Sequence, residues 1–491
     1  VKQIYGKHDD KLKKKLLIIF AGAIIFYSLF LLLMTMLNYN NMVSQSIDVQ
    51  YFHVELSKLS QFTVPAFEWS QHFSPILFFI VPVYWIIKSP GMLMFLQAVV
   101  FISGIVPIFL IAKKYLRSRF VGLSLAFAYL AFGGTQFGIA YGFHEIMFFP
   151  TIFLWMYYFY TQRKIKFYLL FVILSLFVKE EISFIMIFWG IYLFLIKKDK
   201  VLGTITSVFG ILWYILCFQI IFPTFNPQGG FIYWGQYDQS LGTGVFGLMK
   251  FVIFKPLAFL NALITPSFKI DTFFQSFGSF GFLLFLFPAS FIIVLPSLLE
   301  KLLSNGIAAM NGTHYSAALA GATLVSTIES LHVIYKNKYF SKFAGNIYLF
   351  TGTLIFYLAF FFNMLYGYYA FSLIPGVDRT GYPLGNVIIE PSSENLSLLY
   401  KIIDEIPAQA SISAQYQIIP HIHKPYTLIY NIPNSPENSD YVLVDTQLPP
   451  PVLTDTQIIN NYLDGLDKNK NYKLVVNYLG IDVFKRINSP Y

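Results

Sequence analysis

Cysteine is nearly absent: Cys217 is the only one, and it lies inside an apolar stretch. A single thiol excludes a disulfide framework and any cysteine-based metal cluster. Charge is scarce as well. Asp, Glu, Lys and Arg make up 12% of the chain and hydrophobic residues 56%, whereas about 25% of an ordinary soluble domain is charged. The chain therefore reads as a polytopic integral membrane protein. No internal repeat of clear period is visible, and no charge stands out at the middle of a span. A secondary transporter tends to have both, so that class ranks last.

What is present is apolar sequence in blocks. Eleven spans are expected, near 15–37, 91–112, 120–139, 143–160, 167–179, 182–196, 202–222, 246–266, 272–292, 313–334 and 344–366. The fifth and sixth are short for the ~20 residues of a full span. The first is longer than the ~7–15 residues of a signal-peptide core, and no small-x-small cleavage site follows, so it is expected to remain as a span. The many Phe and Tyr side chains suit lipid-facing and interfacial packing.

Charge sets the expected orientation. With residues 1–14 as a cytoplasmic tail, the inner turns carry 20 Lys or Arg and the outer parts of the membrane region carry six. Basic residues favour the cytoplasmic side. From residue 367 onward there are 8 basic and 12 acidic residues, so that part is −4 and the rest is +9 − (−4) = +13. Positive charge in short loops orients a membrane protein, so nucleic acid is not an expected partner. An odd number of spans places the C-terminus outside. The expected organisation is a membrane domain over 15–374, with a first outer loop over 38–90, and an outer α/β domain over 375–491. In that last part 410–414, 426–430, 441–444 and 472–478 read as strands. Stretches 394–406 and 455–466 read as helices, with Pro407, Pro433, Pro436 and Pro449 to Pro451 as punctuation. It has no glycine-rich phosphate loop and no nucleophile elbow. Asn311 and Asn395 head glycosylation sequons, a tripeptide common by chance.

In this topology the unusual polar residues fall on the outer face: Asp48, His53, Glu68 and His72 in the first loop, His144-Glu145, Lys179-Glu180-Glu181, and His314-Tyr315. Each has a plain structural reading. Asp48 alone reads as a solvated acid, His72 and His144 as helix caps, and Lys179 to Glu181 as a polar turn with an internal ion pair. Their shared side is the stronger signal, because ionisable groups near a membrane gather around functional cavities. Lys250 and Lys255 sit in an apolar run and either snorkel to the headgroups or bind an anionic headgroup.

The order of short motifs resembles a known family. It runs Asp48-x-x-x-Phe52, His72-Phe73-Ser74-Pro75, Pro82-x-Tyr84, Gln97, Pro107, Phe143-His144 with Pro150, and Lys179-Glu180. It continues with Pro288, Pro296, His314-Tyr315, Ile406-Pro407-x-x-Ala410-x-Ile412-x-Ala414-Gln415-Tyr416, Pro420-His421 and Asp440-Tyr441-Val442-Leu443. This is similar to the polytopic family called domain of unknown function 2079, which in turn resembles the GT-C membrane glycosyltransferases. The resemblance implies an all-α membrane bundle of about 11 helices, GT-C-like, with a small extracytoplasmic α/β domain. It also implies sugar transfer from a polyprenyl-phosphate donor at the outer face of a cell membrane. Asp48 would then be the general base. His72, His144, Lys179, Glu180, Lys255, His314 and Tyr315 would bind substrate or lipid phosphate, with Lys179, Lys255, a histidine or a divalent cation supplying positive charge. Asp48, His72, His144 and Glu145 are the candidate ligands of such a cation. GT-C enzymes usually carry an acidic pair in the first loop, whereas Asp48 has no adjacent acid. That departure favours a second reading: a non-catalytic integral membrane subunit of a larger assembly, or a lipid- or glycan-binding relative.

Overall fold

The helices that could cross a membrane are fewer than the apolar blocks suggest. The computed structural model describes residues 2–40, 42, 47–226, 229–237, 244–304, 306–310, 313–337, 344–367, 393–423, 429–432, 439–448 and 456–491. Asn311, Lys338, Lys342, the expected boundary near Pro375, Pro433, Pro436 and Pro449 to Pro451 lie outside them. Among the described residues five helices are long and apolar enough to cross: Lys15–Asn40, Pro90–Leu116, Lys200–Phe225, Ser316–Lys336 and Asn346–Tyr366. Two bent pairs raise this to seven if each counts once: Arg119–Leu130 with Gly133–Ala140 at 51°, and Phe246–Phe254 with Pro256–Ile264 at 109°. Helices Ile165–Leu176 and Ile182–Leu195 are apolar but short.

Where an expected span is interrupted, the cause is local. The stretch expected as one helix over 272–292 is broken. Helix Phe268–Gly278 gives way to a turn with Phe282 left-handed at φ 55°, then to 3-10 turns Leu283–Leu286 and Pro288–Ile293. Pro288 has no N–H to continue a helix. Small residues, in contrast, bring helices close. A Cβ on Gly203 would lie 2.7 Å from the Gly190 carbonyl oxygen, and one on Gly210 would lie 2.8 Å from that of Ser183. Helices Ile182–Leu195 and Lys200–Ile215 therefore touch backbone to backbone, as membrane helices with small residues do. That pairing fixes Lys179 to Glu181 at one end of the bundle and Lys197 at the other.

The segment between the first two spans is built largely of helices over residues 47–86. Helix Ile47–Ser60 buries Val49, Phe52, Leu56 and Leu59, a stripe at helical spacing. Asp48 sits in its first turn, where the helix dipole favours an acid. A short turn Ala66–Trp69, a 3-10 turn Pro75–Phe79 and helix Val81–Ile86 follow.

Residues 393–491 build a five-stranded sheet, β1 Ile412–Ala414, β2 Ile429–Asn431, β3 Tyr441–Asp445, β4 Tyr472–Tyr478 and β5 Ile481–Arg486, in the order β2-β1-β3-β5-β4. β1 pairs in parallel with β2 and β3, while β5 runs antiparallel to β3 and β4. β5 lies beyond the expected strands. Its signal was the Leu479-Gly480 pair, both at positive φ, which a tight hairpin turn requires. Helix Ser393–Glu405 packs Leu399, Ile402 and Ile403 with Ile412, Ala414 and Leu443 on one face. Leu466, from helix Thr456–Lys468, joins Val442, Val444 and Phe484 on the other. This unit meets the bundle where the Tyr39 ring stacks on His421 at 4.6 Å and His53 Nε2 lies 3.2 Å from the His423 carbonyl.

Candidate functional site

One cavity gathers five separated turns. It has a volume of ≈ 260 Å³, and its lining includes Asp48, His72, His144, Glu145, Lys179, His314 and Tyr315. Each comes from an element end. Asp48 opens helix Ile47–Ser60, and His72 follows the turn Ala66–Trp69. His144 and Glu145 stand between helices Gly133–Tyr141 and Phe149–Thr161. Lys179 joins helices Ile165–Leu176 and Ile182–Leu195, and His314-Tyr315 precedes helix Ser316–Lys336.

The His144 turn is held by Gln97, buried in helix Pro90–Ser103. Its amide Nε2 donates to the carbonyls of Gly138 at 3.1 Å and Gly142 at 2.9 Å, and its Oε1 accepts from the His144 backbone N–H at 2.6 Å. So held, His144 presents Nε2 to Asp48 Oδ2 at 3.0 Å, and its ring stacks on His314 at 3.6 Å between centroids. The Asp48 side chain keeps 44% of its surface exposed, so the pair is buried on the imidazole side and open on the acid side. Opposite, His72 Nδ1 contacts Glu180 Oε1 at 2.7 Å, and the His72 ring lies flat on Tyr233 at 4.7 Å. Lys179 Nζ stands 3.5 Å from Glu145 Oε1, 3.9 Å from Glu181 Oε2 and 5.7 Å from the centre of the Tyr315 ring.

Burial and charge fix several protonation states. Burial works against the charge of Lys179, but Glu145, Glu181 and Glu180 hold its ammonium well above the usual lysine range. Burial would raise Glu180, yet His72 and Lys179 keep its carboxyl below the ordinary value. Burial raises Glu181. It also pushes His314 well below the ordinary histidine value, with His144 and Lys179 adding to the effect. The site thus holds a cationic Lys179, an ionised Glu180 and a neutral His314. Glu145 Oε1 has the Lys179 ammonium at 3.5 Å, while His144 Nδ1 is buried with no hydrogen-bond partner among the described residues. A buried polar atom left so costs about 1–3 kcal/mol, which a bound ligand can recover.

A second cavity of ≈ 260 Å³ shares His72, Lys179, Tyr233 and Tyr315 with the first. Beyond this shared rim its walls are mostly apolar, with Phe184, Phe188, Phe218, Phe231, Trp234 and Leu299. Glu181 and Glu300 close its polar edge. Burial, then Glu181, raises the Glu300 carboxyl well above the ordinary range.

Not every expected site residue is here. Lys255 is exposed at the bend between Phe246–Phe254 and Pro256–Ile264, and it lines neither cavity. Asp48, His72, His144 and Glu145 line the same cavity without forming a ligand cluster. Among the described residues no group of three or more His, Cys, Asp or Glu is arranged to hold a metal ion. Asp48 goes to His144, His72 to Glu180 and Glu145 to Lys179. Sequence reasoning missed Tyr233, Gln71 and Glu300. Tyr233 donates to Gln71 Oε1 at 2.9 Å. Its only sequence signal was the aromatic run from Phe231 to Tyr237. A charge within a span was also missed: Glu329 is fully buried in helix Ser316–Lys336.

Comparison with known proteins gives a family and a fold. The model of a family described as predicted membrane protein (DUF2079) matches residues 39–482. No curated protein matches. Among solved structures, the chain is similar to ArnT from Cupriavidus metallidurans bound to undecaprenyl phosphate. The TM-score is 0.52 at 10% identity, over 95% of this chain and 98% of that one. At that identity the likeness is one of fold, of the GT-C class.

Proposed function

The chain belongs to the DUF2079 family of multi-pass membrane proteins, and we propose that it transfers a sugar from a polyprenyl-phosphate donor at the outer face. The fold is GT-C-like. In this reading the N-terminus is cytoplasmic, and eleven crossings, several short or broken, place the sheet domain outside. The basic turns support that orientation.

One observation carries the reading. A polar cavity with an open carboxylate adjoins an aromatic cavity, and Lys179, His72, Tyr233 and Tyr315 stand at their common rim. A polyprenyl chain suits the aromatic cavity. Its phosphate then lies at the rim, where the Lys179 ammonium is the available cation, and the sugar reaches the polar cavity. The undecaprenyl phosphate bound to ArnT, a protein of the same fold, is consistent with this assignment.

In this reading each residue has a chemical role. The acceptor hydroxyl gives its proton to the Asp48 carboxylate as its oxygen attacks the anomeric carbon. The bond from that carbon to the phosphate oxygen breaks, and the electron pair leaves with the lipid phosphate. Lys179 stabilises the charge that develops there. His144 orients the Asp48 carboxylate and is itself fixed by Gln97 and His314. His144 Nδ1, which has no hydrogen-bond partner among the described residues, is placed to bond a sugar or acceptor hydroxyl.

The test is transfer of labelled sugar from polyprenyl-phosphate donors by the purified protein and by Asp48→Asn. Turnover by the parent that is lost in the folded variant supports the reading. A parent that binds the lipid without turnover favours the non-catalytic alternative, in which Asp48, with no acid beside it in the sequence, only binds.

A further inference from the structure

The two lysines that lie outside the site belong to the most sharply bent element of the chain. The chain turns by 109° at Lys255, between Phe246–Phe254 and Pro256–Ile264. Each arm has nine residues, so each is ~14 Å long, and at this bend the ends are only ~16 Å apart. The hydrocarbon core of a membrane is ~30 Å thick. The hairpin therefore cannot carry the chain across, although the sequence presents 246–266 as one apolar run.

Three further observations show how it lies. Gly244 and Leu248 line the aromatic cavity, and the inward side chains Phe251, Phe259 and Leu263 pack against Leu299 and Leu303. The outward side chains Phe246, Ile253, Phe254, Leu257 and Leu260 are exposed, between 56% and 81%. Lys250 and Lys255 are exposed among them, one within the first arm and one at the bend. An exposed ammonium at the apex cannot sit deep in hydrocarbon. With the bend held at headgroup level, the arms must run along the interface. Lys269, expected on the opposite side of the membrane, is instead buried and donates to the Ala262 carbonyl at 2.9 Å. The chain has thus returned to the hairpin rather than left it.

We propose that residues 244–264 form an interfacial hairpin on the cavity side of the membrane, seated on lipid phosphates through Lys250 and Lys255, which walls the aromatic cavity from the bilayer. The proposal rests on the reading of that cavity as a lipid-chain site only for its last clause. Topology is unchanged in parity, because 226–313 begins and ends beside the cavity with two crossings or with none. It lowers the crossings from eleven to nine, and residues 265–269 join the cavity side.

Cysteine labelling tests this without any activity assay, since Cys217 is buried and the background is otherwise free of thiols. In Cys217→Ser, single variants Ser267→Cys and Lys250→Cys are treated in sealed membranes with a membrane-impermeant maleimide. Gln61→Cys marks the cavity side and Lys200→Cys the opposite side. Both test positions should label together with Gln61→Cys and not with Lys200→Cys. Labelling of Ser267→Cys with Lys200→Cys would overturn the proposal by showing a crossing. Labelling of either test position from neither side would overturn it by placing the hairpin in hydrocarbon. An inactive protein with the expected labelling would defeat the transferase reading and leave the hairpin standing.

Discussion

The two ends of the bundle each hold buried charge, and they treat it in opposite ways. At the basic end, Glu329 is fully buried and saturated. Its Oε1 accepts from Tyr157 at 2.8 Å and Tyr115 at 3.3 Å, and its Oε2 from Lys197 at 2.9 Å. Lys197 also donates to the Tyr115 hydroxyl at 2.7 Å, and His332 stacks on that ring at 3.6 Å. At the cavity end, the carboxylates of Glu145 and Glu181 stand from Lys179 at 3.5 and 3.9 Å, too long for hydrogen bonds, and His144 Nδ1 has no hydrogen-bond partner among the described residues. Both clusters draw on helix Ser316–Lys336 or the residues just before it. A saturated network specifies packing, whereas an unsaturated one beside empty volume is built to receive something. By that criterion Glu329 is a structural pin, which keeps the transporter reading last despite a charge within a span.

Mutations can break this comparison. The largest effect is expected at the basic end. Glu329→Ala strands the Lys197 ammonium and should cost ~3–5 kcal/mol of stability. A thermal unfolding series in detergent would measure it, and an unchanged midpoint would remove the distinction between the two ends. Next, Asp48→Asn should lower transfer by ~100-fold or more, as for loss of a general base. Its unfolding midpoint should stay near that of the parent, because the acid is partly exposed.

The third prediction concerns pH. Above about pH 6.5 a histidine is neutral in the unfolded chain too, so His314 adds no pH dependence there. Below that, the unfolded chain takes up a proton that the buried ring refuses, since its folded value is depressed. Stability should therefore fall as pH falls toward the folded value, by up to ~1.4 kcal/mol per pH unit. His314→Phe, which keeps the stack on His144, should flatten that part of the midpoint-against-pH curve between pH 7 and 5. The smallest effect is expected for Tyr233→Ala. Loss of its flat contact with His72 should weaken lipid binding by ~1 kcal/mol, roughly fivefold.

Much of the cavity end was legible in the sequence. Alternating basic turns put the segments of Asp48, His72, His144, Lys179 and His314 on one side, and the fold brings all five to one cavity. Local periodicity was partly overlooked. Val49, Phe52, Leu56 and Leu59 already mark a helix where polar residues suggested a loop, and Gly480 marks the hairpin before β5. Other features could not be read along the chain. Tyr233 and Glu300 reach the site through packing between segments far apart in sequence. The bend at Lys255 and the broken helix before Pro288 turn apolar runs into elements too short to cross, which hydropathy alone does not register. Glu329 was hidden because a single acid in an apolar helix carries no sign of the Tyr157 and Lys197 that meet it.

The pairing of a polar cavity with an aromatic one is the centre of this account, and Trp234 in the aromatic wall can report on it. The direct measurement is tryptophan emission of the purified protein titrated with a short-chain polyprenyl phosphate, with the parent polyprenol as control and Trp234→Phe to assign the signal. The account predicts a saturable change with the phosphate, a much weaker one with the alcohol, and loss of the signal in Trp234→Phe. An equal response to the alcohol, or none to the phosphate, would contradict it.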